Sequence, residues 1–148
     1  MLTDTVWSIY TKFKLHFYME IMRGFQDREA TLTTVETYCM EIIQALGQPT
    51  VNEFAVFSNI SPQNAAYKVA SLIRKGYLSK TRSEADRREY HLCPTDKYLR
   101  YYNVAHSYVE TVMKRVQGHF TREECEKFVE MMDVINAEMM DEVNLNTI

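Results

Sequence analysis

Two helix-start signals stand close together at Thr50 and Ser61, and the helix begun by the second runs straight into a basic, extended stretch. Thr50 and Glu53 have the T-x-x-E spacing of a capping box, in which hydroxyl and carboxylate satisfy orphan donors of a first turn. They open a short helix through Phe57, with Val51 and Phe54 available to pack inward. Ser61 and Pro62 restart helix at once, because Ser accepts from first-turn amides and Pro at the first helical position gives up no needed bond. Gly76 ends that helix. Two extended runs follow, Tyr77 to Arg82 and Glu89 to Cys93, around a charged turn at Ser83 to Arg88, and a hairpin is their natural pairing.

The remainder reads as helix. Val6, Ile9, Tyr10, Phe13, Phe17, Ile21 and Phe25 recur at helical spacing and predict one long first helix over Asp4 to Phe25. Thr33 with Glu36 caps a second helix over Val35 to Leu46, closed by Gly47. Thr95 to Gln117 is helical again, and Thr121 with Glu124 caps a last helix to about Val143. Only four glycines and three prolines against 46% hydrophobic residues suit such a chain. The expected fold is mainly α with a small β-hairpin wing, and the hairpin is its one clear sheet.

Several function classes lose support. The three cysteines, Cys39, Cys93 and Cys125, form no CxxC pair and give no disulfide or zinc framework. No apolar run is long enough for a membrane span, and the first residues lack the pattern of a secretory leader, so a cytoplasmic, soluble protein without membrane contact is expected. No nucleophile elbow, paired-carboxylate site or phosphate loop points to an enzyme. No catalytic residue, metal site or cofactor is expected.

A short helix, a tight turn at Ser58 to Ile60, a second helix and a basic hairpin form the order of a winged helix-turn-helix spanning roughly Thr50 to Thr95. The net charge of −3 hides a division along the chain. From Lys68 to Arg88 seven bases meet two acids, a local charge of +5, whereas from Thr121 to Ile148 two bases meet eight acids, a local charge of −6. One part can face phosphate; the other is repelled by it. On the second helix Ala65, Val69, Leu72 and Ile73 form the apolar stripe, leaving Gln63, Asn64, Tyr67, Lys68 and Ser71 outward, with Ala65 and Ala66 keeping it slim. Gln and Asn can bond adenine bidentately, and Lys can reach guanine or phosphate. Arg82, Arg87 and Arg88, around a turn that buries nothing, suit a narrow minor groove.

These residues resemble the MarR (multiple antibiotic resistance regulator) family, through Asn52-Glu53-Phe54-Ala55, Ile60-Ser61, Leu72-Ile73-Arg74-Lys75-Gly76-Tyr77-Leu78 and Asp86-Arg87-Arg88. The resemblance covers nearly the whole chain and implies a single domain: dimerisation helices at 1–32 and 118–148, a winged helix-turn-helix at 33–95 and a connecting helix at 95–117. It implies a homodimer on a pseudo-palindromic double-stranded operator, and repression relieved by a small ligand or oxidant. By position, Ser61, Gln63, Asn64, Tyr67, Lys68, Arg82, Arg87 and Arg88 would meet DNA, with Asp86 and Arg88 stiffening the wing. The chain departs from the family pattern at Pro94-Thr95-Asp96-Lys97-Tyr98, where Leu-Thr followed by Gly is usual. Tyr67 also stands where a basic residue is common.

A dimer follows from the residues as well. Ile9 and Phe13 on the first helix, with Phe128, Met131, Met132, Ile135 and Met139 on the last, make more apolar surface than one small domain can bury. Phe17, Tyr38, Tyr101 and His106 are candidates for a pocket that takes a small aromatic or amphipathic ligand. His106 with Glu110 is the one metal-like pair at one-turn spacing, and Cys39 the one thiol considered as a sensor. A thiol- or metal-sensing regulator, and a helical protein-interaction module that does not bind DNA, are the alternatives.

Overall fold

Residues 1–24 and 32–145 are described by the computed structural model. Their elements are α1 (Leu2–Gly24), α2 (Thr34–Leu46), α3 (Val51–Ser58), α4 (Pro62–Arg74), β1 (Leu78–Arg82), β2 (Tyr90–Pro94), α5 (Asp96–His119) and α6 (Arg122–Glu138). The mainly α fold with a hairpin wing is therefore as expected. Phe25, placed at the end of the first helix, lies outside the described residues. Two compact units emerge: one combines Met1–Arg23 with Asn103–Thr147, the other is formed by Gly24–Tyr102. No helix of the described residues is long and apolar enough to cross a membrane.

The second unit holds the core. Met40, Ile43, Phe54, Val69, Leu72, Tyr77 and Leu92 are fully buried, bringing α2, α3, α4 and the hairpin to one centre. Caps fix where each helix begins. Thr33 and Glu36 make the full reciprocal box on α2, as Thr121 and Glu124 do on α6. At α3 only half of the expected box forms: the Thr50 hydroxyl accepts from the Glu53 amide at 3.1 Å, and Thr50 caps without a returning carboxylate.

The exits of α3 and α4 share one device. Asn59, in the left-handed region at φ 52°, sends the chain sharply out of α3, with the Ile60 amide on the Ala55 carbonyl at 3.1 Å and the Asn59 amide on Val56. Gly76, at φ 82°, repeats the closure: its amide bonds the Ile73 carbonyl, and the Tyr77 amide bonds the Leu72 carbonyl at 3.0 Å. Both are six-to-one closures in which a left-handed residue lets the following amides turn back on the last carbonyls. After Gly76 the chain is extended at once, with Tyr77 and Leu78 buried.

The hairpin pairs antiparallel, Leu78 opposite Pro94 through Arg82 opposite Tyr90. It has a further partner that the sequence reading missed. Thr50 bridges His91, the Leu92 amide bonds the Pro49 carbonyl at 2.8 Å, and His91 Nδ1 lies 2.9 Å from the Gln48 carbonyl. The wing's return strand is thereby tied to the link between α2 and α3. The last helix is shorter than its apolar periodicity suggested: Met139 leaves helical geometry at φ −123°, its amide still on Ile135, and Met140 and Val143 lie in a following turn.

Among the described residues of this unit, one charged side chain is buried. Glu36, 8% exposed, accepts from the Thr33 amide at 3.1 Å, the Ser71 hydroxyl at 3.2 Å and the Lys75 ammonium at 2.6 Å. Burial alone would raise its carboxyl, but the Lys75 and Thr33 hydrogen bonds and the Lys75 charge outweigh it, bringing the carboxyl down to about 2. A carboxyl lowered on folding stabilises above its ordinary range, and that stability drains away as pH falls from about 4.5 toward about 2.

Two outcomes are expected from this packing. Glu36→Gln should cost roughly 2 kcal/mol at neutral pH, with the gap to wild type closing as unfolding is followed down to about pH 2; a gap independent of pH would show that the charge contributes nothing. Gly76→Ala should cost about 1 kcal/mol in urea unfolding, from its left-handed backbone rather than from crowding, since an added Cβ would meet only Lys97 Cδ at 3.8 Å.

Candidate nucleic-acid interface

Helix α4 presents two unlike faces. Ala65, Val69 and Leu72 are fully buried, with Ile73 half-buried beside them. Ser61, Gln63, Asn64, Ala66 and Tyr67 are exposed, Tyr67 at 71%, and Lys68 is half-buried. Ser61 is the N-cap, its hydroxyl accepting from the Asn64 amide at 3.1 Å. Gln63 and Asn64 thus sit in the first turn of a helix whose start is fixed, and their side-chain amides remain available. Ser71, expected outward with them, instead donates to Glu36, because its position on the helix turns it toward α2.

The wing is organised by short-range bonds. The Ser83 amide donates to the Glu89 carbonyl at 2.9 Å, and the Glu89 amide to the Asp86 carbonyl at 3.0 Å. The Ser83 hydroxyl accepts from the Asp86 amide at 3.3 Å. Ser83 is buried, so the expectation that this turn buries nothing is corrected: one small polar residue is enclosed because it closes the loop. Asp86 Oδ1 accepts from the Arg88 amide at 2.9 Å and lies 3.6 Å from Arg88 Nε. Arg82 Nε donates to the Arg87 carbonyl at 2.7 Å, holding the turn from the end of β1. Arg82, Arg87 and Arg88 are all exposed. Among the described residues the Arg87 guanidinium, which is exposed, makes no hydrogen bond or ion pair.

Electrostatic roles in this unit are distinct. Burial pushes the Cys39 thiol up; the Lys68 charge opposes this and Glu36 adds to it. A raised thiol is a poor nucleophile, which weighs against Cys39 as a peroxide sensor. The Lys68 cation acting on it comes from α4 and could not be read from the neighbours of Cys39 in sequence. Tyr101 is buried and shares a 2.9 Å hydroxyl hydrogen bond with Tyr77, while Tyr38 is exposed.

In the other unit, Phe17 is half-buried and His106 exposed, with His106 Nδ1 3.6 Å from Glu110 Oε1. No group of three metal-binding side chains occurs among the described residues. Neither α1 nor α6 contains a buried residue. Ile9, Phe128, Met131, Met132, Ile135 and Met139 are all exposed, from 39% at Ile135 to 64% at Met139, and Phe13 is half-buried. Ile9, Phe13, Val116, Phe120 and Phe128 line a largely apolar cleft of about 490 Å³.

Residues that the sequence reading overlooked cluster at the far end of α4. Lys97 Nζ donates to the Lys75 carbonyl at 3.0 Å, and Thr95 Oγ1 to the Gly76 carbonyl at 2.6 Å. Both belong to the segment that departs from the family pattern. That departure was the available signal, but it gave no direction for the side chains.

Comparison with known proteins agrees with this geometry. Residues 30–89 match the sequence pattern of the MarR family. No curated protein matches the chain. Among solved structures, a MarR-like transcriptional regulator from Thermotoga maritima is 23% identical, with 93% of this chain and 96% of that one covered and a TM-score of 0.60. A MarR family protein from Bacillus stearothermophilus is 17% identical over 93% and 92%, with a TM-score of 0.62. FabT of Streptococcus pneumoniae, solved in complex with DNA, is 18% identical over 97% and 100%, with a TM-score of 0.61. The matched segment holds α2, α3, α4 and the first strand of the wing, and the chain shares the winged helix-turn-helix fold of these MarR-like structures along nearly its whole length.

Proposed function

We propose that this chain binds a pseudo-palindromic operator in double-stranded DNA as a homodimer and represses transcription until a small ligand releases it. One observation carries the reading: a slender helix with an open polar first turn stands in the same unit as an arginine-tipped wing, in a chain whose acidic residues gather toward its end. In this arrangement Gln63 and Asn64 read base edges in the major groove, Ser61, Tyr67 and Lys68 meet bases or phosphate, and Arg87 enters the minor groove. Arg82 and Arg88 order the wing and add positive potential, with Asp86 pairing Arg88. The DNA complex of the similarly folded FabT supports the reading.

A homodimer is supported by the apolar exposure of α1 and α6, which one chain leaves uncovered. Two copies would present two reading helices to two half-sites, which explains why the operator should be pseudo-palindromic. Effector control needs only differential affinity: an aromatic or amphipathic molecule releases the operator if it binds the DNA-free form more tightly.

Selection of bound duplexes from a random pool should recover a two-half-site palindrome; recovery of no enriched sequence would contradict sequence-specific binding. On the selected duplex, Asn64→Ala should cost about 1–3 kcal/mol and relax preference at one position per half-site. Lys68→Ala should instead weaken all duplexes alike and flatten the salt slope by about 0.9 for each phosphate it no longer neutralises. In sedimentation, wild type should run as a dimer, and Met132→Asp with Ile135→Asp as a folded monomer; a monomeric wild type at micromolar concentration would overturn the dimer.

A further inference from the structure

Helix α4 is held at its C-terminal end by polar contacts from two other helices. Its C-cap, Lys75, is right-handed, and the last carbonyls of a helix need partners from elsewhere. From α5, Lys97 supplies one at 3.0 Å to the Lys75 carbonyl and lies 4.6 Å from the centre of the Tyr77 ring, while Thr95 meets the Gly76 carbonyl. A cation at this end is also favoured by the helix dipole. From α2, buried Glu36 takes the Lys75 ammonium at 2.6 Å and the Ser71 hydroxyl at 3.2 Å. Lys75 is thus engaged at both its backbone and its side chain, by different helices.

The apolar stripe of α4 fixes its depth in the core but tolerates small tilts and rolls, because dispersion contacts are weakly directional. Hydrogen bonds between charged groups and carbonyls are directional, and these lie far from the reading end. Gln63 stands twelve residues before Lys75, roughly 16–18 Å along a helix, so a tilt of about 4° about the C-terminal anchor moves the first turn by about 1 Å. A displacement of that size is enough to spoil bidentate base contacts.

We propose that Glu36 and Lys97 are positioning residues for the DNA-reading helix: acting on Lys75 from α2 and α5, they set the angle at which α4 offers Gln63 and Asn64 to base edges. The inference rests on the DNA-binding reading above. Neither residue touches DNA in this scheme, so their loss acts on discrimination rather than on general attraction.

The test uses the full chain and two duplexes of equal length and composition, one recovered by selection and one scrambled, at the same salt concentration. Lys97→Met, which keeps the alkyl stem over Tyr77, and Glu36→Gln should each lower the ratio of specific to non-specific affinity about tenfold. Binding to the scrambled duplex and the slope of affinity against salt should hold, and Lys97→Arg should restore the ratio. Variants that melt earlier yet keep the wild-type ratio would overturn the positioning role. A wild type that does not distinguish the two duplexes would sink the DNA-reading function itself, and this inference with it.

Discussion

The closure at the end of α4 governs what this fold can present. Only a left-handed residue there lets the Tyr77 amide reach back to Leu72 while the chain leaves immediately as strand. Tyr77 and Leu78 are thereby carried into the core, and the hairpin starts in register beside the helix it must accompany. A longer exit would place the wing elsewhere relative to Gln63 and Asn64. The Asn59 closure performs the same service between α3 and α4, so two left-handed residues set the geometry of the whole module.

The same end of α4 gathers a cluster of polar contacts. Glu36 is buried yet charged because an ammonium, a hydroxyl and an amide surround it, which is the condition under which a buried carboxylate is tolerated. Lys97 in α5 and Thr95 just before it meet the departing carbonyls. The opposite end of α4 carries its N-cap bond and an exposed polar turn, so the cross-helix polar contacts stand away from Gln63 and Asn64. The wing follows the same plan: its backbone is closed by Ser83, Asp86 and Arg82, and its tip arginine is left open.

Much of this was legible in the sequence where the determinants are local. Thr33, Ser61 and Thr121 mark helix starts because capping involves residues three apart, and Gly76 marks the exit because its conformation excludes side chains. The division of charge between the hairpin and the last helix needs only counting. Contacts between distant segments were not legible. The capping box at Glu36 accounts for one carboxylate oxygen, and nothing local reveals that Ser71 and Lys75 share the group. His91 reads as one more strand residue until Gln48 and Thr50 are brought alongside. Apolar periodicity past Glu138 promised a longer α6, yet hydrophobic spacing does not itself specify where a helix stops.

DNA is expected against the first turn of α4 and the tip of the wing. A crystal structure of the protein with a high-affinity duplex tests this placement most directly. Gln63 and Asn64 should stand within hydrogen-bond distance of base edges in the major groove, with the Arg87 guanidinium in the adjoining minor groove. A duplex seated on another face, with these side chains still in solvent, would contradict it.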